Sequence, residues 1–153
     1  MSYMRYSITS WGGTTGTNRI LIIQKRIMRN INRKSWRTSC RELFKEQNIL
    51  TFYGLYYLEV MLAIKTNYDQ NTIELSNNNR YNTRQNNKGL IEIQRHRTTF
   101  YERNYIYRGV KWWNVLPTKV KNMKIETFKE LVKKAAIEKV PYSMEEVDGV
   151  TYE

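Results

Sequence analysis

From residue 18 onward the apolar positions recur every three to four residues, the spacing of helices with one wet face. In RILIIQKRIMRNINRK, residues 19–34, a turn of about 100° per residue puts Ile20, Ile23, Ile27, Met28 and Ile31 on one side. Lys25, Arg26, Arg29 and Arg33 gather on the other, and only Ile22 breaks the division. The pattern predicts a helix opened by Thr17 or Asn18 as cap and held to the molecule by its isoleucines. Ser39-Cys40-Arg41-Glu42 has the spacing of a capping box before Leu43 and Phe44, which predicts a short second helix. FYGLYYLEVMLAI, residues 52–64, is apolar on all sides, as expected of a helix buried against several neighbours at the centre of the core. Glu59 within it needs a partner, because an unpaired buried charge costs roughly several kcal/mol. Ile106, Val110 and Trp113 repeat at i, i+4, i+7 until Pro117 disfavours continuation. A last helix is expected over 126–139, with Phe128, Leu131, Val132 and Ala135 as its stripe.

Elsewhere the pattern is weaker. YSITSW at 6–11 is β-prone, and Gly12, Gly13 and Gly16 break the chain after it. Eight of the 22 residues in 67–88 are Asn and the apolar ones are isolated, which predicts a loop or linker. Residues 90–94 alternate as a short extended segment would, 98–107 suit either strand or helix, and the acidic end after Pro141 is expected to be disordered. The organisation expected is a lead-in at 1–17, a basic helical cluster at 18–66, an Asn-rich linker at 67–89, a second helical cluster at 90–140 and an acidic tail at 141–153. As a fold class this is mainly α: a small bundle of about four or five helices with at most minor β.

A chain of 153 residues makes one domain, or one domain and tails, and buries roughly two-thirds of its unfolded surface. The net charge of +12 is unevenly placed, since the last twelve residues hold four acids and no Lys or Arg. The basic remainder favours a polyanionic partner. The longest apolar run is too short to span a bilayer, and the N-terminus lacks a signal peptide's charged start and apolar block, so an intracellular protein, nuclear or cytoplasmic, is expected. Cys40 is the only cysteine and His96 the only histidine, which excludes a zinc finger within the chain and fits a reducing compartment. No phosphate loop, nucleophile elbow or HExxH is present, and Asp occurs only at 69 and 148. Neither catalysis nor a cofactor or metal is expected.

The chemistry that remains is phosphate contact. Lys25, Arg26, Arg29, Arg33, Lys34, Arg37 and Arg41 run without an acid until Glu42, a density suited to releasing counterions from nucleic acid. A second group, Arg80, Arg84, Lys88, Arg95 and Arg97, lies in or beyond the polar segment with Tyr81 among it. Trp112 and Trp113 are separated by about 100° on a helix, so Trp113 continues the apolar stripe while Trp112 sits on a flank, where it either packs into the core or, half-exposed, offers a face for stacking on a base. His96, between two arginines, reads as a surface histidine.

Taken in order, QKRIMRNI, then SCRELFKEQNILTFYGLYYLEVMLAIK, then YNTR at 81–84, then YRGVKWWNVLP and a helix with Phe128-Lys129 resemble one known region. It is the part downstream of the catalytic domain in reverse transcriptases of non-LTR retrotransposons, of the jockey-like kind in arthropods, and the similarity spans about residues 6–137. The resemblance implies that Arg19–Arg41 corresponds to the helical thumb, which lies along the template–product duplex, and that Leu43, Phe44, Leu50, Trp113, Leu116 and Phe128 are scaffold. It also implies an RNA-directed DNA polymerase parent whose catalytic aspartates lie in an Asp-Asp turn that has no match here. The chain is then expected to be a catalytically inactive fragment, with an initiating Met just ahead of the similarity and an acidic tail without counterpart. Its expected binding is non-specific, to RNA, DNA or their hybrid, through Lys25, Arg26, Arg29, Arg33, Lys34, Arg37, Arg41 and Arg84, with no membrane and with the missing polymerase domains as a further partner. Two other readings stand beside it: a basic module that docks on a protein through the apolar 52–65 segment, and an element relic without function.

Overall fold

A computed structural model of the chain describes residues 5, 7–14, 16–70, 72, 90–93 and 97–150. The fold is mainly helical, with 66% helix and 1% strand and no sheet or barrel among the described residues. In chain order the helices are α1 (Ile8–Trp11), α2 (Asn18–Ile31), α3 (Arg41–Glu46), α4 (Phe52–Asp69), α5 (Thr99–Glu102), α6 (Tyr105–Val115), α7 (Thr118–Lys121), α8 (Ile125–Lys139) and α9 (Met144–Asp148).

Helix α4 is the axis of the molecule. Its run of apolar residues leaves no polar stripe, and α6 and α8 pack along it while α1, α2 and α9 contact it further out. Thr51 starts it in an extended conformation: the hydroxyl accepts from Gly54 N at 3.1 Å and donates to Pro141 O at 2.7 Å. One side chain therefore caps α4 and ties it to the chain leaving α8. The α4–α6 contact depends on Gly109, where a Cβ would lie 2.6 Å from Ile64 Cγ1 and 2.8 Å from Val60 Cγ1. The core continues through Trp113, whose ring centroid is 4.7 Å from Tyr68 and 6.0 Å from Phe128. Both helical clusters contribute to this one core, and α4 is the shared element.

Several local expectations give way to tertiary packing. The β-prone stretch contains α1, with Ile8 buried. Gly12 closes it onto Ile8 O at 2.7 Å, so near the Tyr56 ring that a Cβ there would be 2.3 Å from Cδ2. Residues 98–107 hold α5 and the start of α6, which Asn104 caps by accepting from Ile106 N at 2.9 Å. Ile91 is buried, and its N–H and C=O are both bonded to the Asn114 side chain at 2.9 Å, which ties this extended segment to α6. The capping box does not form: Cys40 is the N-cap residue of α3, and Ser39 Oγ lies a long 3.5 Å from Arg41 N. Glu59 has the partner it needs, Arg5, at 2.6 Å. Helix α4 runs on to Asp69, and most of the Asn-rich segment lies outside the described residues.

The acidic end departs most from expectation. Instead of trailing free, residues 141–150 fold back, with Val147 buried and α9 capped by Ser143 Oγ, which accepts from Glu146 N at 3.3 Å. Burial of Pro141, Val147 and Val150 supplies the apolar contact that a reading of charge alone overlooks.

Candidate nucleic-acid interface

The inner face of α2 is not the isoleucine stripe. Leu21 and Met28 are its buried residues, and Gln24 lies between them, its Oε1 accepting from Phe52 N at 2.7 Å. A helix in a corner of the molecule is thus oriented by one amide that completes the cap of α4. Ile23, Ile27 and Ile31 are 55%, 50% and 65% exposed on the other side, interleaved with Arg19, Arg26 and Asn30.

The C-terminus of α2 is stopped by side-chain bonds and a left-handed residue. Asn32 Nδ2 donates to Met28 O at 2.7 Å and Asn32 Oδ1 accepts from Gln47 Nε2 at 2.6 Å. Arg33 takes φ 51°, and Lys34 N reaches back to Arg29 O at 2.9 Å. A tight turn follows, closed by Thr38 N on Ser35 O at 3.0 Å. Arg29 Nε donates to Thr38 O at 3.0 Å and so braces this turn against the helix. Trp36 and Arg37 occupy the two corners. Trp36 is 74% exposed, and the Arg37 guanidinium carbon lies 4.8 Å from its ring centroid.

The basic residues expected to meet phosphate divide into two groups. Arg26, Arg33, Lys34 and Arg37 are exposed, and none takes part in an ion pair among the described residues. Lys25, Arg29 and Arg41 are half-buried and turned to internal work. Arg41 donates to both Glu146 oxygens, at 2.8 and 3.0 Å, and to Val140 O at 3.2 Å. Lys25 Nζ and Arg41 Cζ both lie over the Tyr142 ring, at 4.8 and 4.4 Å. The placement of all these cations on one open helix face is therefore corrected: Lys25 and Arg29 lie toward the protein because Leu21, Gln24 and Met28 set the inward direction, and the open cations cluster at the helix end and its turn. Arg84, with Arg80, Lys88, Arg95 and His96, lies outside the described residues.

A satellite core of Met28, Cys40, Leu43, Phe44 and Val140, with Tyr142 against it, supports this corner. Burial pushes the Tyr142 phenol up to about 12, helped by the neighbouring Cys40 and opposed by Arg41 and Arg29. Burial also works to raise Glu146, but hydrogen bonds from the Arg41 guanidinium and the Tyr142 N–H outweigh it and hold the carboxyl below its ordinary value. At the far end of α9, Asp148 Oδ1 accepts from Trp112 Nε1 at 2.6 Å. Trp112 itself is buried, edge-on to Tyr57 at 5.0 Å, so neither tryptophan of the pair is open to a base.

Trp36 was not singled out by helical periodicity, because it lies outside every helix. Its signal is an indole in the polar, basic run RKSWRTS, with no apolar neighbour to bury against. Among the described residues no cluster of His, Cys, Asp or Glu is placed to hold a metal ion, and no helix is long and apolar enough to cross a membrane.

Fold and surface together define a small basic helical domain with a cationic turn at one corner. No protein-family model, curated protein or solved structure matches the chain.

Proposed function

We propose that this chain is a catalytically inactive nucleic-acid-binding domain, corresponding to the thumb and downstream region of a non-LTR retrotransposon reverse transcriptase. It binds RNA, DNA or their hybrid through backbone phosphates inside the cell. The observation that carries the reading is the open group Arg26, Arg33, Lys34 and Arg37, set in a stretch from 18 to 41 that contains no carboxylate. Cations in no ion pair among the described residues are free to replace the counterions of a polyanion. Specificity is confined to shape, since phosphate contacts carry no sequence information by themselves.

The test is titration of labelled duplex, hybrid and single strands at increasing salt, with the intact chain and with Arg26, Arg33, Lys34 and Arg37 changed to alanine. For duplex DNA the log–log salt slope should shrink by up to about 3–4 if each residue neutralises one phosphate. Equal affinity and slope in the two proteins would refute the reading. Nucleotide incorporation by the purified chain would overturn its non-enzymatic part.

The alternative of a protein-docking module loses its first motive, because α4 is buried within the domain. It gains another in the open Ile23, Ile27 and Ile31. Self-association or dye binding that disappears when these three become serine would favour it.

A further inference from the structure

The turn after α2 has features that phosphate binding alone does not use. Its indole is the largest apolar group held open at this corner, at 74% exposure, yet the backbone presenting it is fixed at three points. These are the Ser35–Thr38 closure, the Arg29 bond to Thr38 O and the Asn32–Gln47 bond at the end of α2. An exposed side chain on a free loop would lose much of its binding energy to ordering; on a braced turn that cost is already met by folding. Arg37 lies against the ring, and Arg33 and Lys34 precede it in the same acid-free run.

We propose that Trp36 is a stacking platform for an unpaired base of single-stranded nucleic acid, with Arg33, Lys34 and Arg37 taking the phosphates on either side of that base. This rests on the phosphate-binding reading and adds the substrate class: strands whose bases are open, in preference to closed duplex. A planar π-face accepts any base, so the site tolerates sequence. Arg37 adds a cation–π contribution on the ring it touches. Arg29 is a positioning residue, which acts by holding the turn.

The experiment compares the intact chain with Trp36→Ala and Trp36→Phe on three probes: a labelled oligothymidylate, a blunt DNA duplex and heparin, which has charge but no bases. Circular dichroism verifies that each variant is folded, as expected for an exposed site. Trp36→Ala should weaken oligothymidylate binding about tenfold or more with its salt slope unchanged, leave heparin affinity as it was, and be partly rescued by Trp36→Phe. Oligothymidylate should also quench tryptophan emission in the intact chain and not in Trp36→Ala. If Trp36→Ala retains full oligothymidylate affinity while binding stays salt-dependent, the platform is refuted and the phosphate reading stands. Equal losses on heparin and oligothymidylate would make the ring a prop for the arginines, which also refutes it. Should the intact chain bind none of the three, both proposals fall.

Discussion

Replacing Gly109 with alanine sets helix propensity against packing. Within α6 the new methyl favours the helix by about 1 kcal/mol relative to glycine. Against this, the Cβ arrives 2.6 Å from Ile64 Cγ1, 2.8 Å from Val60 Cγ1 and 3.0 Å from Ile64 Cδ1. Carbon atoms are comfortable at roughly 3.5–4.0 Å, so the first two contacts overlap by more than half an ångström. Both neighbours are fully buried on α4 and β-branched, with little rotamer freedom in a helix. Overpacking of this kind costs about 1–3 kcal/mol, occasionally more, and two rigid neighbours put it at the upper end. The net expectation is a loss of about 2 kcal/mol, or a Tm lower by roughly 4–8 °C for a chain of this size. Thermal melts followed at 222 nm would measure it. Adding Ile64→Ala should cost less in the Gly109→Ala background than in the parent, because the intruding methyl refills part of the space. A Gly109→Ala protein as stable as the parent, or more so, would refute so close an approach of α6 to Val60 and Ile64.

Two more expectations concern the acidic end. Asp148→Ala leaves the Trp112 indole N–H buried without its acceptor, which should cost about 1–3 kcal/mol and alter the near-ultraviolet tryptophan signal; an unchanged melt would mean that α9 does not dock on Trp112. Because Glu146 has a folded pKa below its ordinary 4.5, its contribution is complete above that pH and disappears as acid protonates the folded form. Glu146→Gln should therefore flatten the acid limb of stability, and superimposable limbs would refute the pairing with Arg41.

The long elements were readable because their patterns are local. An apolar run without a polar stripe can only be a buried helix, and α4 follows from that alone. The stripe of Phe128 and Val132 in α8 and the stop at Pro117 follow equally. The candidate site was readable only in part. Periodicity divides α2 into two faces but does not say which is turned inward, and five isoleucines outweigh one glutamine in any hydrophobic count. The choice fell to Gln24 because Phe52 is buried at the start of α4, where its N–H has no helical partner and needed an acceptor, a requirement visible only across 28 residues of chain.

What the sequence by itself determined is a basic, mainly helical domain with one central helix and an excess of cations before Glu42. Charge and hydrophobic period are properties of neighbours along the chain, and folding does not alter them. The tertiary structure alone decided which cations remain open. Arg41 is joined to Glu146 and Arg29 to Thr38 O, while the acidic end is folded onto Trp112. The reason is that a charge's availability depends on partners brought near it by folding, in the case of Arg41 from 105 residues away.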